Sequence, residues 1–81
     1  MNIIHQYAID KAKELRHREG LTLHQFAAIL GKSASFIGNV ENPSSPARYN
    51  LIHIRDLSVH FNISPRYFIM EHHSNPRAGF G

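Results

Sequence analysis

The residues best suited to recognition chemistry are short polar side chains between positions 33 and 42. At 100° per residue, a helix here places them opposite the apolar residues Phe36, Ile37 and Val40. This polar side comprises Ser35, Gly38, Asn39 and Asn42, with Ala34 at its edge. A carboxamide can bond adenine N6 and N7 together, so Asn39 is the best candidate for reading a DNA base. The alternative is that Asn39 merely solvates an exposed helix face.

Two basic residues flank this surface in the sequence, whereas residues that could bind a metal ion or catalyse a reaction are scattered along the chain. Lys32 and Arg48 lie on either side of it in the sequence and are candidate phosphate ligands. The seven histidines form no His-x-x-x-His pair on a predicted helix, so no metal site is expected. No phosphate-binding loop, dinucleotide motif or nucleophile elbow occurs. We therefore expect no cofactor and no enzymatic activity. The histidines are His5, His17, His24, His53, His60, His72 and His73.

Two short helices must position these residues. Thr22 followed three residues later by Gln25 predicts a capping box at the start of the first. Gly31 predicts its end, because glycine adopts the left-handed conformation without a Cβ penalty. Ser33 can then cap the second helix, over about residues 33–41. Such a pair fits a helix-turn-helix, but an ordinary αα-hairpin has the same pattern.

The rest of the chain predicts further helices around one core. Helical spacing predicts a first helix over residues 3–18. Asn50 can cap a fourth over 51–61, and Ser64 with Pro65 can begin a fifth, to about residue 70. We expect a compact, all-α, five-helix domain over residues 1–70 and a flexible tail over 71–81. The expected core side chains are Ile4, Ala8, Ala12, Leu15, Leu51, Ile54, Leu57, Ser58, Phe61, Ile63 and Phe68.

Composition narrows the class of protein. The chain has 81 residues, enough for one small domain, and a hydrophobic fraction of 42% that supports a packed core. Its net charge of +3 weakly favours polyanionic partners. The absence of cysteine excludes disulfides and fits a cytoplasmic location. No apolar run is long enough to predict a membrane span.

The stretch LRHREGLTLHQFAAILGKSASFIGNVEN resembles the phage repressor and Cro family, also called Xre-type helix-turn-helix domains. The resemblance continues through residues 50–69 and so covers most of the chain. It implies a repressor-like domain whose second motif helix enters the major groove of DNA. The residues that carry it are Leu15, Arg16, Gly20, Leu21, Thr22, Ala27, Gly31, Ser33, Ile37, Val40 and Glu41.

The resemblance also implies roles for individual residues. Arg16 and Glu41 would form a structural pair that joins the first helix to the end of the recognition helix. The loop after Glu41 would lie near the DNA backbone. Leu23 stands where the family commonly has a phosphate-binding glutamine, so another residue would have to replace that contact. The candidate phosphate ligands implied in this way are Arg48, Tyr49 and Asn50 in the loop, with His24 or Gln25 replacing the missing glutamine. A polar surface loop without DNA contacts is the alternative for residues 48–50.

Together these features predict a sequence-specific, DNA-binding transcriptional regulator that occupies an operator on double-stranded DNA. The alternative is a protein-interaction module, such as an antitoxin-like or adaptor subunit, that uses the same fold. A single small module reads only a short half-site, so we also predict a homodimer. Tyr67, Ile69 and Met70 are the candidate contacts between its subunits. They could instead simply close the core.

Overall fold

The structure is a computed structural model that describes residues 3–70. All regular elements in this range are helices, four α-helices and one 3-10 helix, and there is no strand. The predicted all-α class is therefore confirmed. The last element is a single turn of 3-10 helix, shorter than the predicted fifth helix. The segment 71–81 that was predicted as a tail lies outside the described residues. The elements are α1 (Ile3–Arg18), α2 (Leu23–Leu30), α3 (Ala34–Glu41), α4 (Leu51–Phe61) and the 3-10 helix (Pro65–Phe68).

Helix α1 packs one stripe of side chains against the core. Ile9, Ala12 and Leu15 are buried at helical spacing. The prediction that Ile4 belongs to this stripe is wrong, because Ile4 is 56% exposed. The first turn of α1 lies at the edge of the core, where Ile4 lines an open groove with Phe68. Ile9, which the sequence reading missed, takes the buried place.

The α2–α3 pair forms through local signals. The Thr22 hydroxyl accepts from the Gln25 backbone N–H at 3.0 Å, and Gln25 Oε1 accepts from the Thr22 N–H at 2.9 Å, which confirms the capping box. Gly31 has a φ of 64° and ends α2 in the left-handed conformation. The Lys32 N–H donates to the Ala27 carbonyl at 2.9 Å, which completes a Schellman motif. Ser33 then caps α3, with its side chain accepting from a backbone N–H.

Helix α4 begins and ends at asparagines. Asn50 is its N-cap, as predicted, and Asn62 ends it with a φ of 54°. Ile54, Leu57 and Ser58 are buried, but Leu51 is 80% exposed, so its predicted place in the core is wrong. His53, two residues later, is buried instead, with its ring packed against the rings of Phe36 and Tyr49.

The core lies between the four α-helices, and the 3-10 helix packs against α1 and α4. Its largest fully buried side chains include Phe26, Leu15, Ile37 and Phe68, each no more than 1% exposed. Phe61 stacks on Phe26 with ring centroids 6.5 Å apart. Phe68 projects inward from the 3-10 helix, so that single turn closes the core. No helix within residues 3–70 is long and apolar enough to cross a membrane.

Candidate nucleic-acid interface

Helix α3 has two sharply different sides. Ile37 and Val40 are buried at 0% and 2% exposure, which fixes the rotation of the helix against the core. Ser35 and Asn39 lie on the opposite side and are exposed. Ala34 and Gly38 are half-buried beside them. The structure therefore brings four of the five predicted base-reading residues together on one outward face.

The fifth, Asn42, lies just beyond the end of α3 and is also exposed. Its Oδ1 accepts from the Ser44 backbone N–H at 3.0 Å, so the side-chain oxygen holds the turn that follows the helix. The amide NH₂ remains as a donor. Asn42 can therefore donate to a ligand while its oxygen shapes the loop.

An ion pair holds the end of α3. Arg16 Nε donates to Glu41 Oε2 at 3.0 Å and Arg16 Nη2 donates to Glu41 Oε1 at 2.9 Å. This bidentate pair is largely withdrawn from solvent, with side chains 12% and 11% exposed. Arg16 Nη1 also donates to the Leu21 carbonyl at 3.1 Å. One guanidinium thus joins α1, the entry to α2 and the last turn of α3.

Three aromatic rings hold the beginning of α3. Phe36 lies 5.2 Å from the His53 ring and 6.1 Å from the Tyr49 ring, measured between centroids. Tyr49 and His53 are 5.8 Å apart, so the three rings form one cluster. Lys32 Nζ lies 5.5 Å from the centroid of Phe36. The outward face of α3 is therefore carried on a helix that is fixed at both ends.

Most of the candidate phosphate ligands are accessible. Lys32 and Arg48 are exposed, and neither forms an ion pair with any residue of the described range. His24 is exposed on the first turn of α2. Gln25 is exposed as well, but its oxygen belongs to the capping box, which leaves only its NH₂ group for a ligand.

Tyr49 does not fit the predicted phosphate role. It is only 4% exposed, and its hydroxyl is buried with no hydrogen-bond partner within residues 3–70. Burial raises the pKa of Tyr49 well above its ordinary value, and the nearby Glu41 carboxylate adds to the rise. Burial thus withdraws the Tyr49 hydroxyl from any phosphate in solvent. Its neighbour Asn50 is exposed, but Asn50 Oδ1 accepts from the His53 backbone N–H at 3.1 Å.

His53 is the residue beside this site that the sequence analysis missed. It is 6% exposed, and its Nδ1 accepts from the Asn50 backbone N–H at 3.0 Å, which completes a second capping box. Burial lowers the pKa of His53, and the positive charge of Lys32 lowers it further, against a smaller opposing effect of Asp56. Its place three residues after the N-cap was the signal that could have revealed it.

A second surface, on α4 and around the 3-10 helix, carries exposed apolar residues. Ile69 and Met70 are 44% and 39% exposed, whereas Tyr67 is half-buried and packs against the core. Leu51 and Val59 are 80% and 75% exposed and line a groove of about 570 Å³ beside Ile69. This apolar surface extends from Ile69 onto α4, where Leu51 was predicted to lie in the core.

Metal-ligating side chains do not cluster on the part of the chain that the structure describes. Within residues 3–70 no three histidine, aspartate or glutamate side chains converge on a point that could hold a metal ion.

Known proteins offer no match from which a role for the α3 surface could be carried over. The sequence matches no protein-family model, and it matches neither a curated protein nor a solved structure.

Proposed function

We propose that the protein is a sequence-specific DNA-binding transcriptional regulator that places α3 in the major groove of an operator. The observation that carries this proposal is the two-sided character of α3. One side is fully buried, and the other presents Ser35 and Asn39 to solvent. The major groove of B-DNA admits an α-helix, and side chains of these two types bond base edges there.

The charges around α3 support the same function. Lys32 precedes the helix and Arg48 follows it, and both are exposed cations without a carboxylate partner within residues 3–70. In this proposal they bond phosphates on either side of the groove, with His24 and the amide groups of Gln25 and Asn50 as further donors. Phosphate contacts of this kind set position and affinity, whereas Asn39 sets sequence preference.

The arrangement of the helices is also consistent with this role. In the proposal α2 and α3 are the two helices of a helix-turn-helix, and α3 is the recognition helix. The 3-10 helix takes the place of the fifth helix of a repressor-like domain. Rigid support of α3 favours recognition. A mobile helix would have to become ordered on binding, and the entropy lost would lower the affinity.

We further propose that the protein acts as a homodimer. Exposed Ile69 lines the groove formed with Leu51 and Val59, and exposed Met70 lines a neighbouring groove with Tyr67. A dimer can read two half-sites, which helix-turn-helix dimers contact about 34 Å apart, one turn of DNA. Sedimentation at micromolar concentration with and without palindromic DNA tests this; a monomer in both conditions would contradict it.

The same apolar side favours one alternative, a protein-interaction module in which this surface holds a different protein. That function needs neither Asn39 nor Lys32. A salt series with random duplex DNA separates the two functions. Phosphate-driven binding weakens steeply as salt rises, whereas an interaction module shows little affinity at any salt concentration.

Two substitutions test the DNA-binding function on one selected duplex. Asn39→Ala should weaken binding by about 1–3 kcal/mol and relax preference at one base pair. Lys32→Ala should weaken binding to all duplexes alike and reduce the salt slope by about one. Lys13→Ala removes the same charge from an exposed position of α1 and should leave the slope unchanged. If selection from a random pool enriches no duplex, or if Asn39→Ala binds as the original protein does, base reading by α3 is refuted.

A further inference from the structure

Gly38 lies in the interior of α3 at a position where the fold does not require glycine. Gly20 and Gly31 have φ values of 67° and 64°, where a side chain is strained, but Gly38 is outside this left-handed region. A Cβ added at Gly38 would lie 3.9 Å from Leu23 Cδ1, an ordinary contact, and no other such described neighbour lies within 4 Å. Alanine would therefore fit both the backbone and the packing.

Glycine at this position has a cost that local structure does not offset. In a helix interior glycine is less favourable than alanine, because it loses more backbone freedom on folding. Departures from local preference without a packing reason are typical of functional surfaces. On such a surface, glycine allows a ligand to approach the backbone closely. Gly38 lies next to Ser35 on the outward face of α3, on the side away from Asn39, so a ligand that contacts Ser35 also comes close to Gly38.

The space above Gly38 is bounded on one side by an apolar group and is otherwise open. Leu23 Cδ1 forms an apolar wall on one side, and the missing Cβ leaves room for about one methyl group. Base edges in the major groove offer one apolar group of this size, the C5-methyl of thymine. We propose that Leu23 and Gly38 form a notch that receives the C5-methyl group of an operator thymine. The inference rests on the proposed DNA-binding function and adds a preferred base to it.

The first test removes the DNA methyl group and nothing else. A duplex selected from a random pool by the unmodified protein is resynthesised with each thymine replaced singly by deoxyuridine, and binding is followed by fluorescence anisotropy. At one position the loss of a buried methyl group should weaken binding about fourfold. At the other thymines deoxyuridine should have little effect.

The second test places the methyl group on the protein. Gly38→Ala fills the notch, so it should bind the thymine duplex at least fourfold more weakly than the original protein. The deoxyuridine duplex should recover part of that loss, because the protein methyl now occupies the vacated space. Thermal melting of Gly38→Ala should show a midpoint at or above that of the original, which excludes unfolding as the cause.

Two further variants serve as controls. Ser35→Ala changes a neighbour without filling the notch and should keep the deoxyuridine penalty at the same position. Leu23→Ala removes the apolar wall and should reduce that penalty. If the original protein enriches no duplex at all, the DNA-binding function itself fails. If it binds a selected duplex but Gly38→Ala binds equally well, or every deoxyuridine substitution is neutral, the notch is refuted while DNA binding stands.

Discussion

The starts of α2 and α4 use the same hydrogen-bond arrangement with different chemistry. In each, the N-cap side chain accepts from the backbone three residues on, and that residue's side chain accepts from the N-cap N–H. The pair is Thr22 with Gln25 in α2 and Asn50 with His53 in α4. The amide of Gln25 accepts at any pH, but the imidazole of His53 accepts only when Nδ1 carries no proton. One start is therefore insensitive to pH and the other is not.

The surroundings of the two starts differ as well. The α2 start is exposed and is joined to the fold by charge, through the Arg16 guanidinium that bonds the Leu21 carbonyl and Glu41. The α4 start is joined by packing, since His53 lies in the cluster with Phe36 and Tyr49. Both connections reach α3. The ion pair holds its last turn through Glu41, and the aromatic rings hold its first turn through Phe36.

Removing the Arg16 side chain should lower the unfolding free energy more than any other substitution proposed for the two starts. Arg16→Ala leaves the Glu41 carboxylate and the Leu21 carbonyl without their partner in a largely buried setting, so we expect a loss of about 3 kcal/mol in unfolding free energy. Urea unfolding measures it. Arg55→Ala is the matched control, because its pair with Asp56 is exposed, and it should change stability by less than about 0.5 kcal/mol. An unchanged midpoint for Arg16→Ala would remove the contrast between the two starts.

Tyr49→Phe should strengthen the aromatic connection. The Tyr49 hydroxyl is buried with no partner within residues 3–70, and an unsatisfied buried polar group costs about 1–3 kcal/mol. Its removal keeps the ring, so we expect unfolding free energy to rise by about 1.5 kcal/mol. Tyr67→Phe, at a half-buried ring elsewhere, controls for the general effect of losing a hydroxyl. A lower midpoint for Tyr49→Phe would mean that the hydroxyl is satisfied in solution.

The caps themselves should contribute nearly equally. Thr22→Ala and Asn50→Ala each remove one side-chain acceptor from an N-terminal N–H, which costs about 1 kcal/mol. Thermal melts at neutral pH compare the two variants directly. A clearly larger loss for Asn50→Ala would show that the second box also orients His53 within the cluster.

The smallest expected effect is a pH dependence confined to the second start. The pKa of His53 is lowered from its ordinary 6.5 in the folded protein, so on acidification the unfolded chain takes up this proton first. The contribution of His53 is therefore complete above about pH 6.5 and is lost as pH falls through its folded pKa. His53→Gln gives the α4 capping box the same amide acceptor that Gln25 provides in α2. The difference in unfolding free energy between this variant and the original should therefore change with pH only between about pH 6.5 and the folded pKa of His53. Parallel pH curves for the two proteins would contradict this.

Local signals were sufficient to predict much of the fold. Thr22, Gly31, Asn50 and Asn62 each act on backbone groups within a few residues, so the sequence contains the whole interaction. The errors at Ile4 and Leu51 have a different origin. Whether either side chain is covered depends on elements distant in the chain, which helical periodicity does not specify.

The candidate site follows the same division. Periodicity was sufficient to place Ser35 and Asn39 opposite Ile37, because one helix contains all three. The burial of Tyr49 required knowledge of where Phe36 and His53 meet across the fold. The approach of the Leu23 side chain to Gly38 is likewise a tertiary feature, because it joins α2 to α3. No pattern within either helix predicts it.

The ion pair between Arg16 and Glu41 joins residues 25 positions apart and encloses all of α2 and α3 between its ends. The last turn of α3 therefore cannot fray without breaking its ion pair with α1. Amide protons of α2 and α3 should then exchange with solvent through one shared opening rather than helix by helix. Similar exchange free energies in the two helices would identify them as a single cooperative unit, which Arg16→Ala should split into two.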